Sequence, residues 1–188
     1  MIDNESACDA KIPPWKYEDI ERRVTKLYEE QSINGLPIDP FEIIKKRGYM
    51  PIPFSAFEKG DLPECANEDN DAFSFYAPTL KTYVIVYNDK KPFKRQRFTL
   101  MHEIGHIDLG HKGESDLARK MADYYAGYAL APSPLIEKFA SEKIADIAFV
   151  FNVSIDCADV CSQRYQKWLR YGGSSLKDYE IDLINRFK

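Results

Sequence analysis

Ile20, Val24, Leu27 and Tyr28 recur at helical spacing and predict a first amphipathic helix over residues 17–31. Ahead of it, residues 1–14 read as a loose leader ended by Pro13 and Pro14. Asn34-Gly35 and Pro37 mark a turn. Asp39 then caps a short helix that starts at Pro40, carries Phe41, Ile43 and Ile44, and stops at Gly48. The period changes after this. Residues 49–54 run extended, and 72–77 and 83–87 are aromatic and β-branched around a Pro78-containing turn, the pattern of an antiparallel hairpin. Between them, 55–71 is polar and broken by Gly60 and Pro63, which predicts a mobile loop with Glu64, Glu68, Asp69 and Asp71 as a solvated charge run. Helical spacing returns at 98–111 and continues over 116–130, 134–141, 142–151, 154–169 with Ser154 as N-cap, and 176–187. The elements add up to an α+β fold: one domain over 15–171, with a small antiparallel or mixed sheet packed on the helix of 98–111, several surrounding helices and a helical tail at 172–188.

Composition narrows the function. At 188 residues, 44% hydrophobic and 30% charged, the chain has the make-up of an ordinary globule with a sizeable core. A net charge of -4 offers no general phosphate-neutralising surface, so direct nucleic-acid binding is not expected. No apolar run reaches the roughly 20 residues a membrane span needs, and the acidic start MIDNESACDAK is unlike a secretory signal; the expected location is the cytoplasm. Cys8, Cys65, Cys157 and Cys161 lack CxxC spacing and read as reduced thiols, with Cys157 and Cys161 as packing residues one helical turn apart.

The chemistry concentrates at 98–111, FTLMHEIGHIDLGH. Within it His102-Glu103-Ile104-Gly105-His106 is an HExxH pentapeptide, whose two histidines lie one turn apart on one helical face and can reach one cation. Glu103 stands beside them as the general base for an attacking water. Phe98, Leu100, Met101, Ile104, Ile107 and Leu109 make the rest of the segment apolar, so the imidazoles and the carboxylate are costly to bury without partners. Gly105 costs about 1 kcal/mol of helix propensity relative to alanine, which predicts a backbone or substrate passing close to it.

Three blocks in order, RQRFTLMHEIGHIDLGH from Arg95, ADYYAGYALAPSPLI from Ala122 and FNVSIDCADVCSQR from Phe151, resemble the ImmA/IrrE family of metallopeptidases, as does LPIDPFEIIKKRGY from Leu36. The resemblance spans residues 17–168 and implies a zincin-like fold, a bound Zn2+ held by His102 and His106, and Glu103 as base. It also implies a third ligand, a glutamate thirteen residues before the proline that closes the second helix. Counted back from Pro132, that place holds Arg119, and the other common glutamate position holds Met121. Arginine is no zinc ligand. Asp123 is the nearest carboxylate and the candidate third ligand; its place in the family also suits a bond to a ligand histidine. His111, Glu114 and Asp116 are the alternatives, His111 lying roughly 140° round the helix from His106 unless the chain turns back after Gly110, Glu114 and Asp116 otherwise reading as solvent-facing and N-cap residues.

Other features read as structural. Tyr124, Tyr125 and Tyr128 are core or wall aromatics with one hydroxyl available to an oxyanion, Arg95 and Arg97 are expected to pair with carboxylates, and Tyr165, Trp168 and Tyr171 pack the last long helix. Two functions follow. The resemblance implies a zinc endopeptidase whose protein substrate is a helix-turn-helix repressor of a mobile element or stress regulon. The missing carboxylate at Arg119 points instead to a catalytically impaired relative that binds such a repressor without cleaving it.

Overall fold

The computed structural model describes residues 11–58, 71–113, 115–172 and 175–188. Helix α1 (Pro14–Glu30) begins earlier than its apolar spacing requires, because a proline at the first helical position has no N–H to leave unpaired. Its Ile20, Val24, Leu27 and Tyr28 are buried as the spacing predicts. In α2 (Pro40–Lys46) the Asp39 side chain accepts a hydrogen bond from the Phe41 N–H at 2.9 Å, and Gly48, just past its end, takes the left-handed φ of 65° that favours glycine.

Strands β1 (Met50–Pro53), β2 (Ala72–Ala77) and β3 (Thr82–Tyr87) form one mixed sheet in the order β1-β3-β2. The hairpin is present, β2 antiparallel to β3 with Ser74 opposite Ile85, and β1 adds a parallel neighbour on the other side. Pro51 and Pro53 give β1 no N–H at those positions, which leaves Met50 and Ile52 as its donors toward β3. Side-chain alternation divides the faces. Ile85 joins the main core with α3, while Val84 and Val86 meet Phe54 and Ala77 in a smaller cluster on the opposite face.

The motif helix α3 (Phe93–Leu109) ends at Gly110, whose φ is 68°, so His111 lies beyond the helix and not on it. Its main neighbour is α4 (Asp116–Leu130), capped by the Ser115 hydroxyl, which accepts from the Ala118 N–H at 3.1 Å; Asp116 is the first helical residue and not the cap. Four helices complete the set among the described residues: α5 (Ser133–Phe139), α6 (Ile144–Val150), α7 (Ile155–Tyr171), capped by Ser154 as its sequence predicts, and α8 (Asp178–Arg186). The last docks firmly: Tyr179, Leu183 and Phe187 are buried, Phe187 meets Tyr28 edge to face at 5.7 Å, and Lys138 Nζ donates to the Ile184 carbonyl at 2.9 Å.

Two residues of α3 hold it in place through partners that the sequence does not name. Arg97 is 2% exposed and, among the described residues, pairs with no carboxylate; its guanidinium donates to the carbonyls of Phe151, Asn152 and Ile38, tying α3 to the α6–α7 turn and to the entry of α2. Arg95 does find a carboxylate, Asp71, which Lys91 also approaches at 3.6 Å, so Asp71 is an ion-paired anchor and not part of a solvated run. Glu64, Glu68 and Asp69, together with Cys8, Cys65 and Glu114, lie outside the described residues, while Cys157 and Cys161 are free thiols.

Gly105 is the second. A Cβ there would meet the Tyr125 side chain at 3.0–3.1 Å, so what approaches this glycine is an aromatic ring of α4 and neither a backbone nor a substrate. Tyr125 cannot retreat, being fully buried with its hydroxyl donating to Asp108 at 2.5 Å. Gly105→Ala is therefore expected to lower stability by about 1–2 kcal/mol, the overpacking cost exceeding the helix-propensity gain of about 1 kcal/mol. Urea unfolding checks this; a stabilised variant would show that the α3–α4 contact yields.

Candidate metal and peptidase site

Helical spacing brings the two motif histidines together. His102 Nε2 and His106 Nε2 face each other at 3.0 Å, with ring centroids 4.7 Å apart. Each ring is also held from behind. The His102 Nδ1 is 2.8 Å from Asp123 Oδ1, and the His106 Nδ1 is 3.0 Å from His111 Nδ1. Asp123 thus meets the ring nitrogen of His102 that points away from the facing pair. Glu103, 7% exposed, accepts a hydrogen bond from the Ser74 hydroxyl at 2.7 Å. Ser74 was not anticipated. The signal for it is register: it stands opposite Ile85 on the α3 side of β2, a hydroxyl in a strand that otherwise reads Ala-Phe-x-Phe-Tyr-Ala.

Electrostatics keep His106 in the form that binds cations. Burial first, then the neighbouring imidazoles of His102 and His111, push the His106 pKa down to about 4, with Asp123 opposing and Arg119 adding to the shift. Burial likewise lowers His111. Both rings are neutral near pH 7 and keep a lone pair for an ion or a hydrogen bond.

A cleft of about 610 Å³ opens beside these groups, between residues 73–76 of β2, Glu103 and His106 of α3, and the turn at 110–113. Among the described residues β2 is an edge strand, and its outer edge runs along the cleft. The tyrosines of α4 turn elsewhere: Tyr124 donates to Glu21, Tyr125 to Asp108, and Tyr128 is 1% exposed in the main core. On α7, Tyr165 and Trp168 stack at 6.1 Å while Tyr171 is exposed.

The donor set fits a zinc ion in part. Zn–N bonds are about 2.0–2.1 Å, so nitrogens 3.0 Å apart can both touch one ion. Arg119 and Met121 occupy the places of the implied carboxylates, and among the described residues, which do not include Glu114, no group of three or more His, Cys, Asp or Glu side chains is arranged to hold a metal.

An α+β domain in which an HExxH helix lies beside the open edge of a small sheet is a zincin-like arrangement. The family of M78 peptidases, described as the IrrE N-terminal-like domain, matches residues 63–160, and the chain belongs to it. Among solved structures, a Mycobacterium tuberculosis transcriptional regulator is similar in fold, with a TM-score of 0.51 and 17% identity, covering 78% of this chain and 46% of that one. The present chain thus spans less than half of that regulator's length, and the likeness is one of fold. Comparison with curated proteins finds no sequence match. Among the described residues no helix is long and apolar enough to cross a membrane.

Proposed function

We propose that this chain is a zinc-dependent endopeptidase of the cytoplasm that cleaves a protein substrate, a helix-turn-helix repressor of a mobile element or stress regulon. Membership of a peptidase family supports the reaction class. The observation that carries it is the pair of Nε2 atoms facing at 3.0 Å, with His106 and Glu103 lining a cleft bordered by β2, an edge strand among the described residues.

Zinc, when bound, supplies Lewis acidity that activates a water at neutral pH and polarises the scissile carbonyl. His102 and His106 would hold it through Nε2. Asp123 serves better behind His102 than as a ligand, fixing the tautomer that leaves Nε2 free, because its carboxylate already meets Nδ1. Glu103 takes the proton of the attacking water and returns it to the leaving nitrogen, its carboxylate aimed by Ser74. The edge of β2 pairs with an extended stretch of substrate, orienting one peptide bond toward Glu103.

Metal analysis of protein purified without chelator tests this directly. About one zinc per chain, lost in His106→Ala, is the expected result. No zinc after supplementation would sink the reading. A second reading, a relative that binds a repressor without cutting it, is favoured by Arg119 and Met121 at the ligand positions.

A further inference from the structure

β2 and α3 run side by side in the same direction, and contacts at three levels fix how they keep step. Asp71, just ahead of β2, pairs with Arg95 near the start of α3, and the Ser74 hydroxyl reaches Glu103 at 2.7 Å. Further on, Tyr83, opposite Tyr76 in the ladder, meets Tyr49, whose hydroxyl accepts from the same Arg47 that pairs with Asp108 at the helix end. Two strand residues advance about 6.6 Å and four helical residues about 6 Å, so Tyr76 falls level with Ile107, one turn beyond Glu103.

We propose that Tyr76, Tyr83 and Ile107 form a side-chain subsite of the cleft, which takes a large apolar residue, aromatic or long aliphatic, of an extended peptide lying along the edge of β2, with an acidic residue of the same peptide beside Lys112. Such recognition rests on the strand-edge pairing proposed above and deepens it, and it involves no bound metal.

Exposure singles out the subsite. Side chains alternate along β2, so Tyr76 shares the helix-facing side of the sheet with Ser74 and Ile85. Ile85 is fully buried there, whereas Tyr76 is 51% exposed and Ile107 is half-buried. α3 ends at Leu109, and no further helical turn lies beyond Ile107 to cover the ring. Tyr76 instead packs edge to face on Tyr83 at 5.3 Å, Tyr83 is braced the same way by Tyr49 at 5.5 Å, and both Tyr76 and Tyr83 line the cleft. Rings held in place lose little freedom when a guest arrives, and their faces and edges suit another ring or a long apolar chain.

Charge sets the rest of the preference. Past the subsite, Gly110 and Gly113 carry no side chains, and a Cβ at either would meet nothing within 4 Å. Lys112 between them is exposed and is the one permanent cation lining the cleft among the described residues. A peptide running outward from Glu103 therefore meets an apolar wall first and a positive charge after it.

A randomised synthetic decapeptide library tests this in two arms. Peptides retained by immobilised metal-free protein are identified by mass spectrometry, and the same library is incubated with zinc-supplemented protein and its cut sites read in the same way. Wherever peptide is held or cut, Phe, Tyr, Leu or Met is expected to be enriched about 2- to 10-fold over Ala at one position, the range of a single aromatic contact, with Asp or Glu favoured about two residues to one side. Tyr76→Ala is expected to abolish the apolar preference. Lys112→Glu is expected to exchange acidic for basic residues at the second position and to keep the apolar one, and this exposed change decides the matter if Tyr76→Ala does not fold. An absent apolar preference, or one unchanged in Tyr76→Ala, overturns the subsite alone, as does a Lys112→Glu variant that still selects acidic residues. Retention with the preference but no cutting upholds the subsite and removes the peptidase reading. Neither retention nor cutting removes both.

Discussion

Glu103→Gln is expected to slow hydrolysis of a quenched-fluorescent peptide pool by about 10²–10⁴-fold, the range that positioned general bases contribute, while zinc content stays unchanged. The substitution is close to isosteric, and the glutamine carbonyl still accepts the Ser74 hydroxyl, so the side chain keeps its place at the cleft. What it loses is the ability to take a proton. Zinc is retained because the facing nitrogens belong to His102 and His106 and not to residue 103. Cleavage at the wild-type rate would remove Glu103 from the mechanism. The variant also divides the two functional readings: a protein that acts by binding alone relieves repression in a reporter assay equally well with Gln at 103, whereas a peptidase does not.

The largest effect on stability is expected at Arg97. Arg97→Ala leaves the carbonyls of Phe151, Asn152 and Ile38 without their donor in a site that is 2% exposed. A buried acceptor stripped of its partner costs about 1–3 kcal/mol, and three that share one donor are not additive, so a loss of about 3–5 kcal/mol is expected from urea unfolding. Arg97→Lys should fall between, because one ammonium cannot span carbonyls contributed by two separate segments. A loss below about 1 kcal/mol for Arg97→Ala would show that water replaces the guanidinium.

The contrast between these two residues shows what the sequence discloses. His102, Glu103 and His106 are legible because a four-residue spacing on a helix is a local property, and the hairpin of β2 and β3 is legible because alternation and turn chemistry are local too. Arg97 is not, since its partners come from residues 54, 55 and 59 positions away, and a cation beside acidic segments reads naturally as half of an ion pair. Gly105 signalled a close approach correctly, but only packing identifies the intruder as Tyr125. The candidate site divides the same way. Spacing puts Asp123 near the histidines, yet which ring nitrogen it meets depends on rotamers, and helix projection alone carries His111 away because it cannot include the left-handed turn at Gly110. The parallel pairing of β1 was likewise out of reach, as an extended run does not name its neighbour.

The prolines of β1 bear on how a foreign chain is received. A sheet of three strands has two rims, and either can template an added strand. Along the outer rim of β1, Pro51 and Pro53 remove the N–H groups such a visitor would need, so incoming backbone finds acceptors without donors there. The rim of β2 carries no proline and borders the cleft that Glu103 and His106 also line. If the proposed cleavage holds, unfolded polypeptide is steered to the side where Glu103 stands, while the prolines blunt the opposite side against the edge-to-edge stacking that turns small sheets into aggregates.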